Sequence, residues 1–276
     1  MLFTRYILFL IFVASVAIGI WLIVDATKRR KREKLYKTPL KDEWLRLLKK
    51  HVPLSNKLPA EYLEIYHGHI NYFLATKEFV GRGGYVIDDK TKITIAGNAC
   101  LLVLTRKNII YPGFKTIIVY PQTYQAPSSN NNDGGIVEQS LEKRAGESWY
   151  RGPIVLSWSD VEFGSNDTKD AHNVVIHEFA HKLDEETQLM DGLPILKDRS
   201  HYQEWATVLT KEYEEFLTRV SKRSNKVIDS YGAVSAVEFF AVITESFFEK
   251  PWQMKRELPE LYQQLSRYYG VDAAEW

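Results

Sequence analysis

The chain has 276 residues, 26% of them charged and 13% aromatic, with a formal net charge of +1. That mixture excludes an intrinsically disordered chain and gives no overall electrostatic reason to bind nucleic acid. The length accommodates one sizeable domain, or two small ones, together with an anchor. The single cysteine, Cys100, sits in the apolar run Ala99-Cys100-Leu101-Leu102-Val103, which predicts a buried thiol and allows no internal disulfide.

Tyr6 to Val24 carries no charged residue and is rich in Ile, Leu, Phe, Val and Ala. As a helix it would be roughly 28 Å long, close to the hydrocarbon thickness of a bilayer. Arg5 precedes it, whereas Lys28, Arg29, Arg30, Lys31, Arg32 and Lys34 follow it. This charge order predicts a single-pass anchor over residues 1–27 in the inner membrane, with the remainder in the cytoplasm. A cleaved secretory signal would place the basic residues first and small residues last; here Trp21-Leu22-Ile23 occupies that end. Residues 28–40 then read as a short basic linker closing at Pro39, with its charges serving as the stop and orientation signal.

From Asp42, the spacing of Trp44, Leu45, Leu47 and Leu48 predicts a helix that Pro53 breaks. Leu63, Ile65, Tyr66, Ile70, Phe73 and Leu74 predict a second. Strands are expected at Tyr85–Ile87, Ile93–Ile95, Ile109–Tyr111, Thr116–Tyr120 and Pro153–Trp158, from their β-branched and aromatic content. The polar run Ala126–Gly135 reads as a mobile loop. After Asp170 the pattern is almost wholly helical. Helices, a small sheet and helices again predict an α+β domain over 41–276.

The stretch Asn173-Val174-Val175-Ile176-His177-Glu178-Phe179-Ala180-His181-Lys182-Leu183-Asp184 carries the chemistry. Histidines four residues apart share one helical face, so both imidazoles can reach one ion, and zinc takes imidazole nitrogen readily. Glu178 projects beside that ion, where it can take a proton from the hydrolytic water. A His-Glu-x-x-His pattern arises by accident in roughly one chain of this length in a hundred. Its apolar setting narrows that further, because these polar groups in a buried helix need partners or a metal.

A catalytic zinc needs a third protein ligand. His201, Glu204, Glu212, Glu238 and Glu245 are the downstream candidates. His201 heads a charged, solvent-facing helix. Glu238 and Glu245 stand seven apart on one face of the otherwise apolar stretch Ala236–Phe248, and the spacing does not separate them.

Val175–Asp184 and Glu238–Phe248 resemble the signature helices of the Mlc titration factor A family, zinc peptidases of gluzincin type related to the anthrax lethal factor catalytic domain. Ala99–Leu101, Ile117–Pro121 and Val155–Trp158 match more weakly, and together the stretches span most of residues 60 to 270. The resemblance implies a zincin-like fold holding one zinc ion on His177, His181 and Glu238. It also implies Glu245 as an orienter of a ligand histidine, Tyr231 as an oxyanion donor, and Asp184 as a support or cap of the metal helix. Val155–Trp158 is then either a core strand or the edge strand along which an extended peptide pairs. The implied activity is hydrolysis of a peptide or protein; the N-terminal anchor departs from the family's soluble members and would make this enzyme membrane-tethered and cytoplasm-facing. The other reading is a binding module that sequesters a transcriptional regulator, whose contact no residue here identifies.

Overall fold

Gly19 and Pro39 bracket a stretch with no helix breaker, and in the computed structural model this stretch belongs to one 36-residue helix, α1 (Leu2–Lys37). The structure describes residues 2–106, 110–131, 137–144, 146–148, 152–224 and 226–276. The basic stretch 28–37 is therefore helical. Its Lys, Arg, Glu and Leu residues are good helix formers, and Asp25 pairs with Arg29 one turn on at 3.0 Å. The helix stops just before Thr38-Pro39, as the restriction on the residue before proline requires. Among the described residues it is the one helix long and apolar enough to cross a membrane, its most apolar 18-residue stretch having a mean hydropathy of 2.4.

The end of α1 is fastened to the domain. Tyr36 lies on α3 (Ala60–Thr76), where its hydroxyl and His69 Nδ1 are 2.7 Å apart. Asn71 Nδ2 donates to the carbonyls of Leu35 and Thr38 at 3.2 and 2.6 Å. Gly68 makes this approach possible: a Cβ there would stand 2.5 Å from Tyr36 Cδ1 and 3.2 Å from its Cα. Gly68→Val is expected to undock the two helices at a cost of about 1–3 kcal/mol. The measurement is tryptic cleavage between Arg32 and Lys41, which should accelerate relative to cleavage elsewhere; an unchanged rate would refute the contact.

α2 (Asp42–His51) and α3 fall where the apolar spacing places them. The strands expected at 85–87 and 93–95 do not form: the first is irregular, and the second lies inside helix α4 (Asp89–Leu101). Asp88 caps α4, accepting from the Thr91 N–H at 2.8 Å. Ten of its thirteen residues are buried, so no helical period shows in the sequence and the β-branched residues mislead. Gly97 admits Leu48, Val52 and the Tyr66 hydroxyl against its backbone. Cys100 is fully buried, as its apolar setting requires.

The sheet is built from β1 (Glu78–Gly81), β2 (Thr116–Tyr120), β5 (Gly146–Ser148) and β6 (Ile154–Ser157), in the order β1-β2-β6-β5. The first three in that order are parallel, and β5 runs antiparallel to β6 with Glu147 opposite Val155. The expected strand at 153–158 is thus β6, fully buried, while Trp158 already starts α5 (Trp158–Asn166). β6 is interior, so the edge-strand reading of Val155–Trp158 is corrected: β5 holds the edge. Ile110 and Tyr111 form a bend rather than a strand, and Ile109 lies outside the described residues.

Residues 126–131 are not loop either. They belong to β3 (Tyr124–Asn131), which pairs antiparallel with β4 (Val137–Arg144); residues 132–136 lie outside the described residues. Ladder hydrogen bonds join backbones, so a serine- and asparagine-rich strand gives no apolar alternation to read.

The remaining long elements are helices: α6 (Val174–Asp184), α7 (Tyr202–Ser221), α8 (Ala236–Glu249), α9 (Pro251–Glu257) and α10 (Pro259–Tyr269). α6 runs through the core. Phe179 on it is fully buried, with ring centroids 5.6 Å from Phe73, 4.9 Å from Tyr111 and 5.8 Å from Phe114. Aromatic contacts of this kind contribute about 0.5–1.5 kcal/mol each beyond area burial, and they fix which face α6 turns toward α8.

Candidate metal centre

Asn173 starts α6 by accepting the Ile176 N–H on its side-chain oxygen at 3.2 Å. His177 and His181 then fall on adjacent turns of one face, their ring centroids 4.8 Å apart and their planes at 85°. Ser235 caps α8 by accepting the Glu238 N–H at 3.2 Å, which sets Glu238 in the first turn of that helix. The packing of α6 against α8 brings the three side chains together.

The two Nε2 atoms are 3.2 Å apart, and Glu238 Oε2 lies 3.0 Å from that of His177 and 3.4 Å from that of His181. Ligands arranged tetrahedrally at about 2.0–2.1 Å from an ion are roughly 3.3 Å from one another. The triangle thus already has the edges such an ion requires. Burial disfavours a charged imidazole at His177, yet its bonds to Glu238 and Glu245 hold the pKa well above the ordinary value. Burial also resists ionisation of Glu238, but His177 and His181 keep its carboxyl below the usual range. The pocket favours positive charge at the place where a metal ion would sit.

Glu245, which spacing alone could not tell from Glu238, stands on the other side of the His177 ring. Its Oε1 is 2.8 Å from Nδ1, so it can fix the tautomer and leave Nε2 for the ion. Glu178 is 5% exposed and lies beneath β5: a Cβ on Gly146 would be 2.5 Å from its Oε1 and 2.8 Å from its Cγ. Tyr231 sits on a short 3-10 turn, Ser230–Ala233, half exposed, its ring centroid 5.9 Å from that of His177. Asp184, fully buried, accepts the Gly192 N–H at 2.8 Å. It ties the end of the metal helix to the following loop, and Gly192 in turn packs against the Ala236 carbonyl at the start of α8. His201 is exposed, Glu204 pairs with Arg267 at 2.8 Å, and Glu212 lies 3.5 Å from Arg219, so none of these three joins the centre. Among the described residues, His177, His181 and Glu238 form the one group of this kind suited to a metal.

A sequence profile of glucose-regulated metallo-peptidases, M90, matches residues 26–270. The chain belongs to the M90 metallo-peptidase family. Family membership implies a metal ion, and the α+β, zincin-like architecture expected from the sequence agrees with it. An uncharacterized protein of Synechocystis sp. is 37% identical over 243 residues, covering 87% of this chain and 88% of its own. Mlc titration factor A of Cronobacter sakazakii is 32% identical over 72% of this chain and 76% of its own. The Salmonella gallinarum protein of the same name is 30% identical over 81% of this M90 chain and 84% of its own.

Sequence reasoning missed Gly146, Asn173, Gly192 and Glu249 around this M90 centre. Asn173 had a signal, since an Asn three residues before the end of the first apolar turn is a helix cap. Glu249 continues the stripe of Glu238 and Glu245 by one further turn. Gly146 and Gly192 left none, because what they permit is an approach between distant segments.

Proposed function

We propose that this chain is a zinc-dependent peptidase, tethered to the inner membrane by α1 and facing the cytoplasm. The observation that carries the reading is the His177–His181–Glu238 triangle, with edges of 3.0–3.4 Å, beside the carboxylate of Glu178. Two imidazoles and a carboxylate are a donor set that zinc takes readily, with a coordination position left for substrate. The ion, when bound, supplies Lewis acidity toward water and the scissile carbonyl. Glu178 takes a proton from the attacking water and returns it to the departing amine as the C–N bond breaks. Tyr231, half exposed beside His177, donates its hydroxyl proton in a hydrogen bond to the oxygen on which negative charge develops. β5, at the end of the sheet and directly over Glu178, offers its outer backbone edge to an extended peptide.

The test is turnover of a peptide panel by the full chain in detergent or vesicles. Cleavage that a chelator abolishes and added zinc restores is the expected result. The second reading, a module that captures a regulator, rests on the name titration factor carried by relatives. Absence of turnover by the zinc-loaded chain would favour it and sink the peptidase. Within the peptidase reading, Gly146→Val should cut kcat about tenfold or more by displacing the Glu178 carboxylate, while bound zinc stays at one per chain. A wild-type rate in that variant would remove β5 from the site.

A further inference from the structure

Behind His177, on the side away from the metal, lies a buried polar network that peptide hydrolysis does not itself use. Glu245 holds His177 Nδ1 through one carboxylate oxygen and accepts the backbone N–H of Asn173 on the other. The Asn173 side chain donates from Nδ2 to Glu249 Oε1 at 3.0 Å and to Asn98 Oδ1 at 3.2 Å. Asn98 donates in turn to Ser165 Oγ and to the Thr94 carbonyl, both at 3.0 Å. Asn98, Ser165, Asn173, Glu245 and Glu249 are each no more than 4% exposed. Burial pushes the Glu249 carboxyl up to about 9, so it stands as a neutral acid four residues from Glu245.

A buried polar group left without partners destabilises the fold, and apolar residues of similar volume fill a core at no such risk. Stability alone therefore gives weak grounds for five polar side chains here. Their placement suggests a more specific job. Asn173 is the cap of the helix that carries His177 and His181, and it grips two successive turns of the helix that carries Glu238. A slide of α6 along α8 would change the His177–Glu238 separation directly, and Asn173 blocks that slide.

We propose that Asn173 is a positioning residue, with Glu249 and Asn98 as its anchors, that sets the register of α6 against α8 and so preforms the metal triangle. The proposal rests on His177, His181 and Glu238 being the metal ligands. Asn173→Ser is the first variant, because serine caps a helix about as well as asparagine but cannot reach Glu249 and Asn98. Metal affinity is read by chelator competition, ligand geometry by the visible spectrum of the cobalt-substituted full chain, and folding by circular dichroism and melting of the metal-free chain. The expected result is an affinity about tenfold lower and a shifted cobalt spectrum in a chain that still folds without metal, its melting temperature lowered by the lost partners of Glu249 and Asn98. Glu249→Leu should reproduce both changes, and Glu249→Gln, which keeps an acceptor for Asn173, should restore them.

Wild-type affinity and spectrum in folded Asn173→Ser would overturn the proposal. If that variant does not fold, the Glu249 pair decides, and equal behaviour of Leu and Gln overturns it. A wild-type chain that binds neither zinc nor cobalt would instead refute the ligand assignment itself, with or without any peptidase activity.

Discussion

Glu178→Gln is expected to keep its metal and to lose about 10²–10⁴-fold in kcat/KM on any peptide the wild type cleaves. The substitution conserves shape, so the packing of this side chain beneath Gly146 survives. It removes the one property the reaction needs there, an oxygen able to accept a proton at neutral pH. The corresponding barrier increase is about 2.7–5.4 kcal/mol. The triangle that would hold the ion consists of His177, His181 and Glu238, and Glu178 is not one of its members. Metal content by atomic spectrometry should therefore stay at one per chain. A variant that keeps more than a tenth of the wild-type rate would exclude Glu178 as the base.

Glu238→Ala and Glu245→Ala should separate by affinity, although both carboxylates touch the same imidazole. Glu238 lies 3.0 Å from His177 Nε2 and 3.4 Å from His181 Nε2, the position of a third ligand. Glu245 lies 2.8 Å from Nδ1, on the far side of the ring, where no shared ion can reach it. Removing Glu238 leaves two protein ligands and should weaken zinc binding by roughly 10²–10³-fold. Removing Glu245 leaves three ligands but frees the ring to rotate, which weakens binding by about 10–100-fold. Chelator competition on the metal-free proteins measures both. Equal losses, or a greater loss from Glu245→Ala, would reverse the assignment.

The candidate site was more legible in the sequence than the architecture, for a physical reason. His177, Glu178 and His181 are local: their spacing on one helix is set by helix geometry, and no distant residue is needed to see it. Glu238 and Glu245 were visible as acids on an apolar face, but which ring nitrogen each one meets depends on how two helices cross. α4 was hidden because burial on every side erases the period on which a helix is recognised. The strand β3 was hidden because serine and asparagine pair backbones as well as valine does. Gly146, the residue that lets β5 lie against Glu178, belongs to the class that spacing cannot expose, since its role exists only between segments.

In the membrane-tethered peptidase proposed above, the junction of α1 with α3 would bear on what the enzyme can reach. Thirteen residues, Asp25 to Lys37, separate the charge-free segment from the docked end, and as continuous helix they form a strut of roughly 20 Å. A flexible tether of that length would let the domain sweep a hemisphere over the bilayer. The strut, pinned at Gly68 and Asn71, would hold it instead at one height and one orientation relative to α1. One residue inserted into it would lift the cleft by about 1.5 Å and swing it by about 100°. Held over a bilayer in this way, the proposed enzyme would select substrates by how far from the surface their cleavage sites lie.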